Sequence, residues 1–375
     1  MRVLFLADHP RHPLHHRKVE LLADAPDMEI LSINTPDCGR PPGVYPSANG
    51  ERSYTLHTLP QHSLGLPGDP HRTFFWPPPF EMRRFKPDLI HCELEQEGIG
   101  AAQVALLRAV FAPRSRLSLH SAQNLLRQRR PWVRAVDWFT LRAAQHICCD
   151  SSEAVQVLRR QGYHGGWAVF ARTGVDTRCF FRKPVPVLRA DLGLRDGSPV
   201  VGCVGRLVPE KGLDTLLEAA AAASTSPQVV LVGSGPQLDE LENLARCLGT
   251  ADRCRFVGAV AYDAIPDYLN LMDVLVLPSR TTRNWKEQFG RVLVEAMACK
   301  VPVVGSDSGS IPEVVGEAGL VVPEGNARAL AAAIDQVVAS EDVRRTLGER
   351  GYQRVLDHYT VERTAEKLLK MWRDL

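Results

Sequence analysis

Residues 200–214, VVGCVGRLVPEKGLD, decide the fold that this sequence predicts. The apolar run is typical of a buried strand, it ends in a glycine turn at Gly205, and a helix is expected from Leu213. α/β proteins use this succession of strand, turn and helix start to build anion sites at the carboxyl end of a parallel sheet. Arg206 and Lys211 would place two fixed positive charges there, as a phosphoryl or nucleotidyl leaving group requires.

A second segment, NWKEQFGRVLVEAMA at residues 284–298, sets Glu287 and Glu295 eight positions apart. Its residues 291–298 predict a helix, and Gly290 stands where that helix would begin. Because the N–H groups of a helix start attract phosphate or sugar oxygens, the segment suits an elongated ligand with charge in its middle and hydroxyls at both ends. A nucleotide sugar has these properties. Taken alone, however, two glutamates near a helix are more often solvated surface.

A third turn, Gly233-Ser234-Gly235-Pro236, follows an apolar strand at residues 229–232. It matches neither a Walker loop nor the GxGxxG fingerprint, so it is a weak signal by itself.

Together these segments resemble the retaining glycosyltransferases of the family-4 type, also called glycosyl transferases group 1. The resemblance is strong over residues 195–325 and weaker in the first half, where Ser118-Leu119-His120, Asp150-Ser151-Ser152-Glu153 and Thr173-Gly174-Val175-Asp176 fall in the expected order. It implies an α/β fold of the GT-B type, with two Rossmann-like, doubly wound parallel-sheet domains facing a central cleft. It also implies a metal-independent enzyme that moves a sugar from a nucleoside-diphosphate sugar to a hydroxyl acceptor.

The resemblance assigns roles to individual residues. Glu287 would hold the sugar hydroxyls, Glu295 the ribose hydroxyls, and His120 would lie near the transferred sugar. The base would lie over residues 256–260. The residues expected to act in catalysis are Arg206, Lys211, Glu287 and His120. Those expected to bind the donor are Gly205, Gly233, Gly235, Val257, Phe289, Gly290, Arg291, Val292 and Glu295.

No cofactor and no metal are expected, because the chain lacks the Asp-x-Asp pair that clamps a metal diphosphate in the other main glycosyltransferase fold. Two other groups contain residue types that bind metal ions. The cluster His9, His12, His15 and His16 could hold a metal, face the acceptor or lie on the surface. The alternating Glu93, Glu95 and Glu97 would suit a cation.

A length of 375 residues favours two domains. Strand and helix patterns alternate nearly throughout, which is typical of parallel sheets covered on both faces. We place an acceptor-side domain at residues 1–180, a linker at 181–198 and a nucleotide-sugar domain at 199–358. The last helical stretch, 360–375, would pack back on the first domain. Residues 36–80 have many Pro and Gly and predict long loops.

Charge is uneven along the chain. Residues 1–181 contain 22 Lys and Arg against 17 Asp and Glu, and the remainder has 23 against 26. The sharpest basic run is Arg127, Arg129, Arg130 and Arg134, which is typical of a solvated helix start or of a contact for anionic lipid or an acidic acceptor. Nucleic acid is not expected, because no recognition module accompanies the run.

The chain shows no apolar span of transmembrane length, and Asp8 interrupts the first apolar run, which therefore predicts a buried strand and not a signal peptide. Nine cysteines without a CxxC pair give no disulfide framework. These features predict a cytoplasmic protein, with weak contact between the first domain and the inner membrane face as an alternative.

Two other functions stay open. The same scaffold serves other sugar-phosphate enzymes, such as epimerases and phosphorylases, and a non-enzymatic sugar-nucleotide-binding protein would share the donor site. UDP- and GDP-sugars are the expected donors.

Overall fold

A computed structural model describes residues 1–7, 13–35, 53–64 and 72–375. These residues form two compact α/β units. The first unit contains Met1–Gly174 and Val361–Leu375, and the second contains Val175–Thr360.

The first unit is built on a parallel sheet whose apolar strands are buried on both faces. Its described strands are β1 (Arg2–Ala7), β2 (Glu29–Asn34), β3 (Thr55–Thr58), β4 (Gln61–Ser63), β5 (Thr73–Phe75), β6 (Leu89–Glu93), β7 (Arg116–Ser121), β8 (His146–Cys149) and β9 (Gly166–Val169). In the described chain the sheet order is β3-β2-β1-β6-β7-β8-β9, and β4 and β5 form a separate antiparallel pair.

Helices cover both faces of this sheet. They are α1 (Pro13–Ala23), α2 (Glu81–Phe85), α3 (Ile99–Phe111), α4 (Pro131–Ala143), α5 (Ser152–Arg160) and α14 (Val361–Asp374). The final helix belongs to the first unit because its apolar face is buried there. Trp372 is 1 % exposed and its ring contacts those of Phe5 and His91, at centroid distances of 6.1 and 5.4 Å.

The prediction of long loops at residues 36–80 was wrong for the strands β3, β4 and β5. Residues 36–52 and 65–71 lie outside the described residues. β3 lies at the sheet edge, is mostly exposed and is held by backbone hydrogen bonds to β2. Its sequence therefore has no hydrophobic alternation from which a strand could be predicted.

The second unit repeats the architecture with a sheet in the order β12-β11-β10-β13-β14-β15. Its strands are β10 (Val200–Val204), β11 (Gln228–Val232), β12 (Cys254–Gly258), β13 (Val274–Leu277), β14 (Val303–Ser306) and β15 (Leu320–Val322). Its helices are α6 (Pro186–Asp191), α7 (Leu213–Ala222), α8 (Leu238–Cys247), α9 (Ile265–Leu271), α10 (Arg291–Ala298), α11 (Ile311–Val315), α12 (Ala327–Val338) and α13 (Glu341–His358).

Strand β10 lies at the switch point of this sheet, with β11 on one side and β13 on the other. In open α/β sheets ligands bind beyond the carboxyl ends of the strands at such a point. A ligand site is therefore expected in the segments that follow β10, β11 and β13.

The chain enters and leaves the second unit at neighbouring positions. Val175 and Thr360 form a parallel bridge, and the Val175 amide donates a 2.8 Å hydrogen bond to the Tyr359 carbonyl. Residues 181–198 lie within the second unit, where the Lys183 amide donates to the Asn270 side chain at 2.9 Å.

Two further findings concern the whole described chain. None of the described helices is both long and apolar enough to cross a membrane. Every cysteine that the structure describes is a free thiol.

Candidate functional site

The glycine turns that follow β10 and β11 pack against each other at the carboxyl end of the strands of the second sheet, where the sequence predicts an anion site. The Gly205 amide donates to the Val232 carbonyl at 2.9 Å, and the Gly233 amide donates to the Gly258 carbonyl at 2.7 Å. Gly233 has a φ of 138°, and a Cβ there would lie 1.8 Å from the Gly205 oxygen. The predicted Gly205 and Gly233 therefore form one tight surface, on which the backbone itself is accessible to a ligand.

Lys211 lies on the short 3₁₀ turn Pro209–Lys211, beyond the carboxyl end of β10. Its ammonium donates to Glu287 Oε2 at 2.6 Å, and its Nζ lies 5.0 Å from the centre of the Trp285 ring. The Ser279 hydroxyl donates to the same Glu287 oxygen at 2.9 Å. Two predicted residues that are 76 positions apart thus meet in a partly buried ion pair, whose Lys211 and Glu287 side chains are 16 % and 9 % exposed.

Arg206 is placed differently from Lys211. Its side chain is 67 % exposed, and its guanidinium lies 3.7 Å from Glu210. The charge of Arg206 is therefore mostly solvated in this structure, and Lys211, whose side chain is 16 % exposed, is the more buried cation of the predicted pair.

Gly290 begins α10, as the sequence predicts, and has the left-handed φ of 79°. The first turn of α10 contains the exposed Arg291 and the half-buried Val292. The Leu293 amide donates to the Gly290 carbonyl at 2.9 Å, and this first turn lies at the positive end of the helix dipole. Phe289, just before it, packs against Tyr359 with the ring centres 5.7 Å apart.

Glu295 lies one and a half turns into α10 and is 4 % exposed. Its Oε1 accepts a 2.9 Å hydrogen bond from the Tyr262 hydroxyl. Burial raises the pKa of this carboxyl, and the Arg291 charge and the Tyr262 hydrogen bond offset that rise only in part. A buried carboxylate with one bonded oxygen is suited to accept hydrogen bonds from hydroxyl groups.

The other predicted donor residues lie on the same sheet edge or near it. Val257 is a half-buried residue of β12. Gly235 packs so closely that a Cβ would lie 2.2 Å from the Leu207 carbonyl oxygen.

His120 belongs to the first unit, where it lies near the end of β7 and is fully buried. Its Nε2 is 3.0 Å from Asp150 Oδ1, which also accepts from the Arg172 amide at 2.9 Å. Burial alone would raise the pKa of Asp150, but the charges and hydrogen bonds of His120 and Arg172 hold it below the usual range. The carboxylate fixes the orientation of the imidazole, as in many enzyme sites.

Each of the alternating glutamates at the end of β6 and just beyond it has a basic partner. Glu93 pairs with the buried Lys18, Glu95 pairs with Arg172 at 3.1 Å, and Glu97 pairs with Arg129. His91, Glu93 and His120 do place ligand-type atoms within 4.8 Å of one another. The Lys18 ammonium already neutralises the charge of Glu93, so a side chain of the protein provides the cation of this cluster.

Some residues of the histidine cluster and of the basic run are buried inside the first unit. His15 and His16 are buried residues of α1, so the surface alternative is wrong for them, while His9 and His12 lie outside the described residues. Arg129, from the basic run, is 8 % exposed and also binds Asp137 at 2.9 Å.

The sequence did not single out Tyr262, Ser279 or the pairing of Asp150 with His120. Ser279 follows β13 by two residues, and polar residues just beyond a buried strand were the available signal. The sequence contains no comparable signal for Tyr262, because its contact with Glu295 depends on the packing of α10 against the segment before α9.

Comparison with known proteins decides the family. The model of the family described as glycosyl transferases group 1 matches residues 185–354. The 2-deoxystreptamine N-acetyl-D-glucosaminyltransferase of Streptomyces fradiae is 31 % identical over 306 residues, which cover 74 % of this chain and 72 % of that protein. The chain belongs to the glycosyl transferases group 1 family.

Another member of this family is similar over a shorter stretch. The GDP-mannose-dependent alpha-(1-6)-phosphatidylinositol monomannoside mannosyltransferase of Mycobacterium tuberculosis is 37 % identical over 205 residues, or 52 % of this group 1 chain. The matching part spans about half, 53 %, of that relative's length.

Solved structures agree with the GT-B fold predicted for this group 1 chain. Anabaena Alr3699/HepE in complex with UDP superposes with a TM-score of 0.78 over 100 % of both chains, at 21 % identity. Sucrose-phosphate synthase from Thermosynechococcus elongatus gives a TM-score of 0.75 at 23 % identity, over 100 % of this chain and 98 % of that one. The predicted α/β class and GT-B fold are confirmed.

Proposed function

We propose that this protein is a retaining glycosyltransferase that transfers a sugar from a nucleoside-diphosphate sugar to a hydroxyl acceptor without a metal ion. The observation that carries the proposal is the partly buried Lys211–Glu287 ion pair beyond β10, beside a switch point and a glycine-capped helix start. In a transferase this cation would stabilise the negative charge that grows on the leaving diphosphate in the transition state.

Breaking a bond between a sugar and a phosphate builds positive charge on the anomeric carbon and negative charge on the diphosphate. Lys211 and the first N–H groups of α10 would stabilise the diphosphate, with Arg206 moving in from solvent. Glu287 would accept hydrogen bonds from sugar hydroxyls, and Glu295 would accept them from the ribose. These fixed charges do the work that a metal does in other enzymes.

UDP- and GDP-sugars are the proposed donors. One relative is named as GDP-mannose-dependent, and the Anabaena protein was solved with UDP and with UDP-glucose. A thermal-shift panel of nucleoside diphosphates identifies the base, because a ligand that binds only the folded state raises Tm.

Donor turnover without an acceptor tests the reaction class. The matching nucleotide sugar should be hydrolysed slowly to free sugar and nucleoside diphosphate, and EDTA should leave the rate unchanged. An isomerised donor would identify an epimerase, and an intact donor would identify a binding protein. Loss of activity in EDTA, restored by magnesium or manganese, would contradict the metal-free proposal and return attention to His91, Glu93 and His120.

His120 is proposed to act in turnover and not in donor binding. His120→Ala should lower kcat and leave the affinity for the nucleoside diphosphate unchanged in calorimetry. Weaker nucleoside diphosphate binding by this variant would contradict the assignment.

The two glutamates should separate binding from turnover. Glu295→Gln should weaken nucleoside diphosphate binding about tenfold, because a hydrogen bond to a charged acceptor is lost. Glu287→Gln should spare that binding and lower kcat, because its proposed partner is the sugar. Calorimetry and steady-state kinetics on both variants give the answer, and the opposite pattern would mean that the ligand lies in the reverse direction.

Donor affinity should also depend on pH through Glu295. The raised pKa of this carboxyl means that it takes up a proton at a higher pH than an ordinary glutamate and then loses acceptor capacity. Affinity for the nucleotide sugar should therefore be full at neutral pH and fall as the pH drops through that raised pKa. Titration calorimetry should show this acid limb in the wild type, and Glu295→Gln should flatten it.

A further inference from the structure

The Lys211 ammonium has a second neighbour besides Glu287. It donates to that carboxylate at 2.6 Å, and its Nζ also lies 5.0 Å from the centre of the Trp285 ring. Trp285 is half-buried and belongs to the β13–α10 loop, residues 278–290, two positions before Glu287. Because the face of an aromatic ring carries negative charge, it attracts an ammonium group. Trp285 is therefore a second anchor for the cation of the proposed leaving-group site.

The two segments that bring Lys211 and Trp285 together are joined to each other. The Arg280 amide, in the β13–α10 loop, donates to the Glu210 carbonyl at 2.8 Å, next to Lys211. The Arg280 guanidinium donates to Asp214, in the first turn of α7, at 2.9 Å. The two backbones are thus held side by side by contacts that include neither the lysine nor the tryptophan side chain.

A tight turn fixes Trp285 within its loop. The Thr282 amide donates to the Trp285 carbonyl at 2.7 Å, and the Trp285 amide donates to the Thr282 hydroxyl at 3.0 Å. The same hydroxyl donates to the Trp285 carbonyl at 3.2 Å. The hydroxyls of Thr281 and Ser308 lie 3.1 Å apart and tie the turn to the segment after β14. The backbone of Trp285 is therefore preorganised, which limits the directions in which its ring can point.

A similar trio of lysine, glutamate and aromatic ring lies on the surface of the same unit. Lys300 pairs with Glu349 at 2.9 Å, and its Nζ lies 4.8 Å from the centre of the Tyr352 ring. These two charged side chains are 38 % and 63 % exposed, against 16 % and 9 % for Lys211 and Glu287. Contacts between cations and rings are weak at exposed positions and stronger where water is excluded. The contact at Lys211 is of the second kind.

We propose that Trp285 is a positioning residue for Lys211, whose ring holds the ammonium and shields it from water, so that its charge acts strongly on the leaving diphosphate. An ammonium has three N–H donors, and Glu287 takes one of them. The ring face attracts the cation without an oxygen acceptor, so N–H donors remain for diphosphate oxygens. A second carboxylate in its place would cancel the charge, and water would screen it. The inference rests on the proposed function, because it gives Trp285 a part in the same reaction.

Kinetics of donor turnover without an acceptor test this role. Trp285→Leu should lower kcat about tenfold, the effect of a partly desolvated contact between a cation and a ring. It should change KM for the donor less than twofold, because Lys211 acts on charge that grows in the transition state. Trp285→Phe should recover much of the loss, since phenylalanine also has a ring face. The Tm of each variant shows that it is folded.

The matched control is Tyr352→Leu, which removes the ring from the exposed trio and should leave kcat unchanged. An equal loss of kcat in this variant would contradict a specific role for Trp285.

A fluorine series separates the charge of the ring from its shape. Tryptophan with one, two or three fluorine atoms on the ring, incorporated at position 285 alone, keeps nearly the same shape while its face becomes less negative. The logarithm of kcat should fall in step with the number of fluorine atoms. Wild-type kcat throughout the series would overturn the proposal even if Trp285→Leu is slow, since shape alone would then explain that loss.

A double-mutant cycle shows whether Trp285 acts through Lys211. Trp285→Leu should add no further loss to Lys211→Ala, because the cation on which the ring acts is already gone. A full additional tenfold loss would mean that the ring acts on the donor directly and would overturn the positioning role. Near-normal turnover by Lys211→Ala refutes the leaving-group site as a whole, whereas slow turnover by Lys211→Ala with normal turnover by Trp285→Leu refutes this inference alone.

Discussion

Replacing Lys211 with alanine should lower kcat for donor turnover about 10²–10³-fold, the usual loss when one preorganised group that stabilises developing charge is removed. The effect should be large because the Lys211 side chain is only 16 % exposed and its ammonium is fixed by Glu287 at 2.6 Å. Little charge needs to be rearranged when the diphosphate leaves. Steady-state kinetics with the donor identified by thermal shift give the measurement.

Arg345→Ala is the control for this variant. Arg345 is an exposed residue of α13 that pairs with Asp342, so its loss removes one positive charge from a residue outside the proposed site. Near-normal turnover by Lys211→Ala would refute the assignment of the leaving-group site. Arg206→Ala should be measured beside these variants. The size of its effect on kcat shows whether this exposed side chain moves to the diphosphate during turnover.

Replacing Gly233 with alanine should destabilise the second unit by about 4 kcal/mol, at the upper end of single substitutions. The new Cβ would lie 1.8 Å from the Gly205 carbonyl oxygen, which belongs to the backbone and cannot rotate away. The turns beyond β10 and β11 would have to separate, and with them the hydrogen bond from Gly205 to Val232.

Gly249→Ala separates this clash from backbone strain. Gly249 also has a positive φ, 68°, but a Cβ at this position would meet nothing within 4 Å. The substitution should cost only about 1 kcal/mol, the strain of a left-handed alanine. Hydrogen exchange of β10 and β11 amides measures both losses, and equal losses would show that strain and not contact fixes the turn.

The sequence predicted those parts of the fold that local patterns encode. Apolar runs gave the buried strands, and Gly290 gave the start of α10 because a left-handed residue there favours glycine. β3 was not predicted, because an exposed edge strand has no hydrophobic period. The burial of Arg129 was not predicted either, because its partners Glu97 and Asp137 lie outside the basic run.

Prediction of the site shows the same division. The residue types of Lys211 and Glu287 were recognisable, since Lys211 follows a predicted strand and Glu287 lies in the loop before a predicted helix. Their direct ion pair was not, because it joins turns 76 residues apart and depends on the order of β10 and β13. The hydrogen bond from Tyr262 to Glu295 likewise exists only once α10 is packed.

The bridge between Val175 and Thr360 makes the second unit an insertion within the first. A ribosome therefore finishes the inserted unit before it has made α14, whose Trp372 fills the core around Phe5. The unit that begins first is the last to be completed, the reverse of the usual N-terminal-first order. A released chain truncated after Thr360 should accordingly show a protease-resistant second unit beside a first unit that is still cleaved.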